Sequence, residues 1–171
     1  MYLAFSITLF LFFATFIYAG ISGATWMPTK KKDVERFLKL AKLKSDEVFY
    51  DIGCGNGRMV IVAAKQGAKA VGLEISLFPY LLGKLNIFLK QSSAKIKYRD
   101  LWRYNLGDAD VIYFFLMPKK MKRLKTKFEQ ELNPGTRVIS YVWPIDGWTP
   151  IKIDECEGWP KMYLYKMTKL F

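Results

Sequence analysis

The sequence predicts an α/β fold, a doubly wound and largely parallel sheet, with an N-terminal transmembrane helix ahead of it. Three observations predict it. From residue 30 to residue 168, apolar runs of strand length alternate with helix-length stretches that are apolar on one side. Val48 to Arg58 reads as a strand that reaches an acid, Asp51, then carries Gly53, Gly55 and Gly57 at alternate positions before a helix begins. Residues 1–29 contain no charged side chain.

Leu3 to Ile21 is almost entirely apolar and long enough to cross a bilayer as a helix, with Tyr18 and Trp26 near the expected interface. A secretory signal would want a basic start and a shorter apolar core. Here the first cations, Lys30, Lys31 and Lys32, follow the span instead. The positive-inside rule then places the rest of the chain in the cytoplasm. The expected organisation is a single-pass membrane protein, with residues 1–25 as anchor in the lipid bilayer and residues 26–171 as the functional domain. The linker Trp26-Met27-Pro28-Thr29 is short, which holds that domain against the headgroups.

Thr29 is placed to cap a first helix reaching about Lys44, with Val34, Phe37, Leu38 and Ala41 as its inward stripe. A first strand follows at about residues 47–51. After the glycine turn, Met59 to Gln66 reads as a helix that Gly67 stops, and Ala70 to Glu74 as a second buried strand. Ser76 to Lys90 reads as a helix with apolar residues on more than one face, and burial under another element is expected ahead of membrane contact. Lys95 to Tyr98 gives a third strand, and Asp110 to Leu116 a central fourth. Met117-Pro118 leads into a helix with Met121, Leu124, Phe128 and Leu132 on one side. Arg137 to Trp143 is the fifth strand, and residues 151–156 and 161–168 form a closing hairpin around Gly158.

Composition narrows the chemistry. The 27 basic and 15 acidic residues leave a net charge of +12, all of it from residue 30 onward. Such a balance fits nucleic acid, an anionic membrane surface or an acidic partner, and a solvated basic surface accounts for it equally well. The chain has no His and only two cysteines, Cys54 and Cys156, so His-based triads, His metal sites and a disulfide framework are excluded, and no metal is expected.

The motifs carry more. Dinucleotide-binding turns use G-x-G-x-x-G; this chain has G-x-G-x-G, with Arg58 where the last glycine would fall. An acid two residues before the first glycine suits a ligand bearing an ammonium group rather than a pyrophosphate. Glu74, at a strand's carboxyl end 23 residues after Asp51, is placed to accept hydrogen bonds from both hydroxyls of a ribose. Asp100, just past the third strand, is placed to accept from an adenine amino group, with Leu101 and Trp102 as apolar surface beside the ring.

The run Asp51-Ile52-Gly53-Cys54-Gly55-Asn56-Gly57 resembles the first motif of class I S-adenosylmethionine (SAM) methyltransferases. Within that superfamily, residues 26–168 resemble the membrane-anchored lysine methyltransferases that act on the c-ring protein of ATP synthase and on the adenine nucleotide translocase, and their prokaryotic relatives. The resemblance rests on Met27-Pro28-Thr29, Tyr50 to Arg58, Val71 to Glu74, Asp100-Leu101-Trp102, Met117-Pro118, Trp143-Pro144 and Trp148-Thr149-Pro150. Asn56 stands where relatives often carry Asp. The resemblance implies a Rossmann-like class I methyltransferase sheet, SAM as cofactor, and Thr29, Asp51, Gly53, Cys54, Gly55, Gly57, Glu74, Asp100 and Leu101 around it. It implies lysine N-methylation of a membrane protein, with Phe115, Met117 and Trp143 as candidate walls of an acceptor channel and no identifiable general base. The fourth strand lacks the Asn/Asp-Pro-Pro-aromatic tetrad of adenine and glutamine N-methyltransferases, so a nucleic-acid partner is not expected. An RNA or DNA methyltransferase, and a non-enzymatic membrane-tethered SAM-binding module, are the alternatives.

Overall fold

The computed structural model describes Tyr2, Ser6 and residues 30–168. The expected 1–25 anchor, apart from those two residues, and Thr29 lie outside the described residues. Among the described residues no helix is long and apolar enough to cross a membrane.

The chain runs α1 (Lys31–Ala41), β1 (Val48–Ile52), α2 (Arg58–Lys65), β2 (Lys69–Glu74), α3 (Leu77–Leu89), β3 (Lys95–Tyr98), β4 (Val111–Phe114), α4 (Met121–Glu131), β5 (Arg137–Tyr141), β6 (Lys152–Cys156) and β7 (Trp159–Lys166). Short 3-10 turns, Leu101–Arg103 and Pro118–Lys120, follow β3 and precede α4. The seven strands lie in the order β3-β2-β1-β4-β5-β7-β6. The first five are parallel, while β7 pairs antiparallel with both β5 and β6. The closing hairpin therefore inserts its second strand between β5 and β6.

Right-handed crossovers put helices on both faces of such a sheet. Helices α1 and α2, with the inner side of α3, enclose one core that includes Phe37, Phe49, Tyr113 and Tyr141. Helix α4 encloses the other, around Ile112, Phe114, Leu124 and Phe128. All four residues of β4 are buried, as a central strand between two helical layers requires. Phe37 meets Phe49 and Tyr113 at 5.3 and 5.2 Å between ring centres. Truncating a fully buried aromatic of this kind to Ala costs about 3–5 kcal/mol.

Two arginines tie α1 to distant strands. Arg36 donates to Asp154 Oδ2 at 2.5 Å, to the Asp154 and Pro160 carbonyls at 3.1 and 2.7 Å, and to Asp33 Oδ1 at 3.1 Å. Tyr141 closes the cluster by donating to Asp33 Oδ2 at 3.1 Å. Arg137 donates to the Ala41 and Lys42 carbonyls at the carboxyl end of α1, and pairs with Glu47.

The expectation for the third helix is corrected. Leu77, Leu81, Leu85, Phe88 and Leu89 are 39–77 % exposed rather than buried under another described element. The inward side of α3 is made of small residues, since only Pro79 and Gly83 are buried. A Cβ on Gly83 would stand 2.5 Å from Ile96 Cδ1 and 3.0 Å from the Gly55 carbonyl. The helix seats closely on β3 and the glycine turn through that narrow side, which turns its apolar bulk outward.

Candidate active site

The carboxyl ends of the parallel strands share one edge, the usual ligand edge of an open α/β sheet. Each strand delivers a functional group there. Backbone conformation explains the glycines: Gly53, Gly55 and Gly57 have φ of 75°, 52° and 76°, in the left-handed region that other residues resist. The turn is closed by N–H donation from Gly53 and Cys54 to the Leu73 carbonyl, at 2.9 and 3.1 Å.

Two acids sit beneath it. Asp51 is 4 % exposed, and its pKa is pushed from 3.8 up to about 8, first by burial and then by the charge of Glu74. Glu74 is also buried and raised by desolvation, although three backbone N–H groups pull it back. Its Oε2 accepts from Gly55 at 2.9 Å, and its Oε1 from Ile75 and Ser76 at 2.9 and 2.7 Å. Glu74 thus holds the glycine turn and the entrance of α3 in one geometry. Among the described residues no basic side chain offsets the charge of either acid. A cationic, hydroxyl-bearing ligand matches that donor set, and a pyrophosphate does not.

The edge opens into a small cleft lined by Ile52, Gly53, Leu73, Ile75, Arg99, Asp100, Leu101, Trp102 and Leu116. Asp100 Oδ1 accepts from the Trp102 N–H at 2.9 Å and so fixes the 3-10 turn that carries Leu101. The Arg123 guanidinium stacks over Trp102, 4.1 Å from the ring centre. The cleft joins Gly53, Asp100 and Leu101 of the expected set. Ile75, Arg99 and Leu116 are additions, and their signal was position alone, one or two residues beyond a strand end.

Cys54 belongs to the turn through its backbone, but its side chain packs into the core. A Cβ at Gly72 would stand 2.4 Å from Cys54 Sγ, so the strand glycine makes room for the thiol. Burial pushes that thiol's pKa up, which keeps it protonated and unreactive.

The three acceptor-wall candidates follow β4 and β5. Phe115 packs edge-on against Tyr141, 5.6 Å between ring centres. Met117 and Trp143 are 36 and 39 % exposed. Trp143 follows Val142, a β-branched residue at φ 74°, a conformation that costs about 1–3 kcal/mol. The turn is held by donation from Val142 N–H to the Lys161 carbonyl at 2.9 Å and from Ser140 Oγ to the Trp143 carbonyl at 2.5 Å. Among the described residues no cluster of His, Cys, Asp and Glu is arranged to hold a metal ion.

Known proteins share this arrangement. The ANTKMT methyltransferase domain matches residues 51–152. A protein-lysine N-methyltransferase of Saccharolobus islandicus (strain REY15A) is 37 % identical over 147 residues, 82 % of this chain and 91 % of that protein. The human lysine N-methyltransferase of the ATP synthase c-subunit is 32 % identical over 127 residues, 73 % of this chain and 54 % of that protein, so the chain spans about half of its length. Among solved structures, an RNA methyltransferase from Salinibacter ruber in complex with S-adenosyl-L-homocysteine superposes with a TM-score of 0.80 at 30 % identity, covering 84 % of this chain and 95 % of that one. The buried acids, the left-handed glycines and the cleft beside Asp100 fit the nucleoside and ammonium groups of SAM. Matched by that domain over more than half its length, the chain belongs to the ANTKMT methyltransferase family and is a SAM-dependent methyltransferase.

Proposed function

We propose that this methyltransferase methylates the ε-amine of a lysine in an integral membrane protein, and that residues 1–25 anchor it in the bilayer with residues 26–171 on the cytoplasmic side. The observation that carries the reading is the similarity, 37 % identity over 147 residues in one case, to proteins named for lysine methylation.

SAM, when bound, supplies an activated methyl group. The chain's own residues do the positioning, which is most of the work in an in-line displacement. Asp51 and Glu74 offer carboxylates to a cationic, hydroxyl-bearing ligand, while the glycine turn lets backbone approach it closely. Asp100 and Leu101 line the cleft together with Gly53. An acceptor lysine must lose its proton before it attacks, and an apolar aromatic surface favours the neutral amine by desolvation. Phe115, Met117 and Trp143, carried past β4 and β5, supply such a surface. The aromatic faces also attract the cationic amine that forms.

The test is a comparison of full-length protein with a form lacking residues 1–25, each given labelled SAM and either membranes or total RNA. Both forms should bind SAM equally, and only the full-length form should label membrane protein quickly. Equal rates from both forms would defeat the anchor.

A second reading, methylation of RNA, is favoured by the RNA activity for which the Salinibacter protein is named and by the basic surface of this chain. Preferential labelling of RNA, falling steeply with added salt, would establish it instead.

A further inference from the structure

Helix α3 carries a surface that neither the cofactor site nor the sheet uses. Leu77, Leu81, Leu85 and Phe88 recur at helical spacing and form one outward stripe, with Leu89 at its border. Phe88 is 77 % and Leu89 67 % exposed. Large side chains so exposed, side by side along three turns, mark a contact surface rather than ordinary scatter.

Charge identifies what meets it. Between Glu74 and Lys95 there is no acidic residue, whereas Lys84 and Lys90 fall in that span. Lys84 is exposed on α3 and Lys90 just past its carboxyl end, whereas Ile96 meets α3 at Gly83, which turns Lys95 and Lys97 to the other face of the sheet, where Lys97 donates to Tyr104 Oη at 2.6 Å. On the same layer α1 exposes Lys31, Lys32 and Lys39 with one acid, Glu35, and α2 exposes Lys65. An apolar ridge inside a basic surround matches an interface of acyl chains beneath anionic headgroups. An apolar protein surface would satisfy the stripe but offer nothing to Lys84 beside it.

We infer that α3 lies flat in the interface of an anionic bilayer, its leucine and phenylalanine stripe among the acyl chains and its lysines at the headgroups. The topology gives this docking a consequence. Helix α3 links parallel strands β2 and β3, so it runs antiparallel to them. A bilayer lying along the helix also lies along the strands, and the cleft at their carboxyl edge opens along the membrane surface. A lysine held just outside the headgroups is presented to such an opening.

The experiment uses full-length protein in vesicles of mixed phosphatidylglycerol and phosphatidylcholine. A single environment-sensitive fluorophore is attached at Phe88→Cys or, separately, Leu85→Cys, in a Cys156→Ser background; Cys54 is buried. A control label sits at Lys122→Cys, exposed on α4 across the sheet. Retained SAM affinity establishes that each variant is folded.

The expected result is a blue shift and loss of most emission at both α3 positions when the acyl chains carry bromine, with little change at Lys122→Cys. Removal of phosphatidylglycerol should reverse much of the quenching. Labels on α3 that bromolipid leaves unquenched would overturn the inference, whether they face water, a second copy or residues 1–29. Quenching indifferent to anionic lipid would overturn the role of the lysines. The label reads α3 alone, so failure here leaves the lysine-methylation reading standing.

Discussion

Asp51→Asn separates what the fold wants at this position from what the ligand wants. The native carboxyl keeps its proton up to about pH 8, against 3.8 in an ordinary setting. The folded state therefore holds one more proton than the unfolded chain between those two values. Stability from this group falls as pH rises through that window and is level above it. The gap between those two values corresponds to about 6 kcal/mol lost by pH 9, at ~1.4 kcal/mol per pH unit. Asparagine removes that loss but leaves a buried amide, whose unmet hydrogen bonds cost about 1–3 kcal/mol. The variant should thus be about 3–5 kcal/mol more stable than the native protein at pH 9, and equal or weaker at pH 5. Urea unfolding of the ligand-free protein in detergent, repeated across pH, reads the difference directly. Calorimetry in two buffers of different ionisation enthalpy gives a second readout. Native protein should release a proton on binding SAM at neutral pH, because a cation beside Asp51 favours its ionised form, and the variant should release less. Stability curves that run parallel in pH for both proteins would refute the reasoning.

Three further outcomes are expected. Glu74→Ala should weaken SAM binding by about 1.5–3 kcal/mol, roughly tenfold to a hundredfold, through lost charge-assisted hydrogen bonds; unchanged affinity in calorimetry would remove Glu74 from the site. Gly72→Ala should force its methyl group against Cys54 and disturb the turn above it, costing about 1–3 kcal/mol of stability along with SAM affinity; a neutral thermal scan would show that the thiol can move aside. Val142→Gly should leave Tm nearly unchanged, since relief of about 1–3 kcal/mol of backbone strain is offset by lost packing and chain stiffness. Its turnover should fall as Trp143 loses its fixed support, and undiminished turnover would take Trp143 out of the acceptor wall.

The fold positions of the candidate cofactor residues were legible because their signals are local. Asp51, the three glycines and Glu74 sit on consecutive β-turn-α units, and a strand's carboxyl end is recognisable from the apolar run before it. The same locality found β1 to β5 and the inward face of α4. Contacts between distant residues were not legible. Arg36 meets Asp154 and Tyr141 meets Asp33 across separations of 118 and 108 residues. No periodicity announces such a pair, and buried Asp33 and Arg36 carry no local signal of their partners. The insertion of β7 between β5 and β6 escaped for the same reason, because a hairpin pattern specifies its own pairing and not its neighbour. The outward face of α3 failed differently. Apolar content shows that a helix must be covered and says nothing of which side, and here the small inward residues Pro79 and Gly83 decided it.

Everything proposed for this enzyme turns on the atom that receives the methyl group. The most direct measurement is incubation of the full-length protein with methyl-labelled SAM and membranes from its own cells, followed by complete acid hydrolysis of the labelled material and separation of its amino acids. The label should elute as methylated lysine and come from a protein extracted only with detergent. Label confined to nucleosides, or to amino acids other than lysine, would contradict lysine methylation.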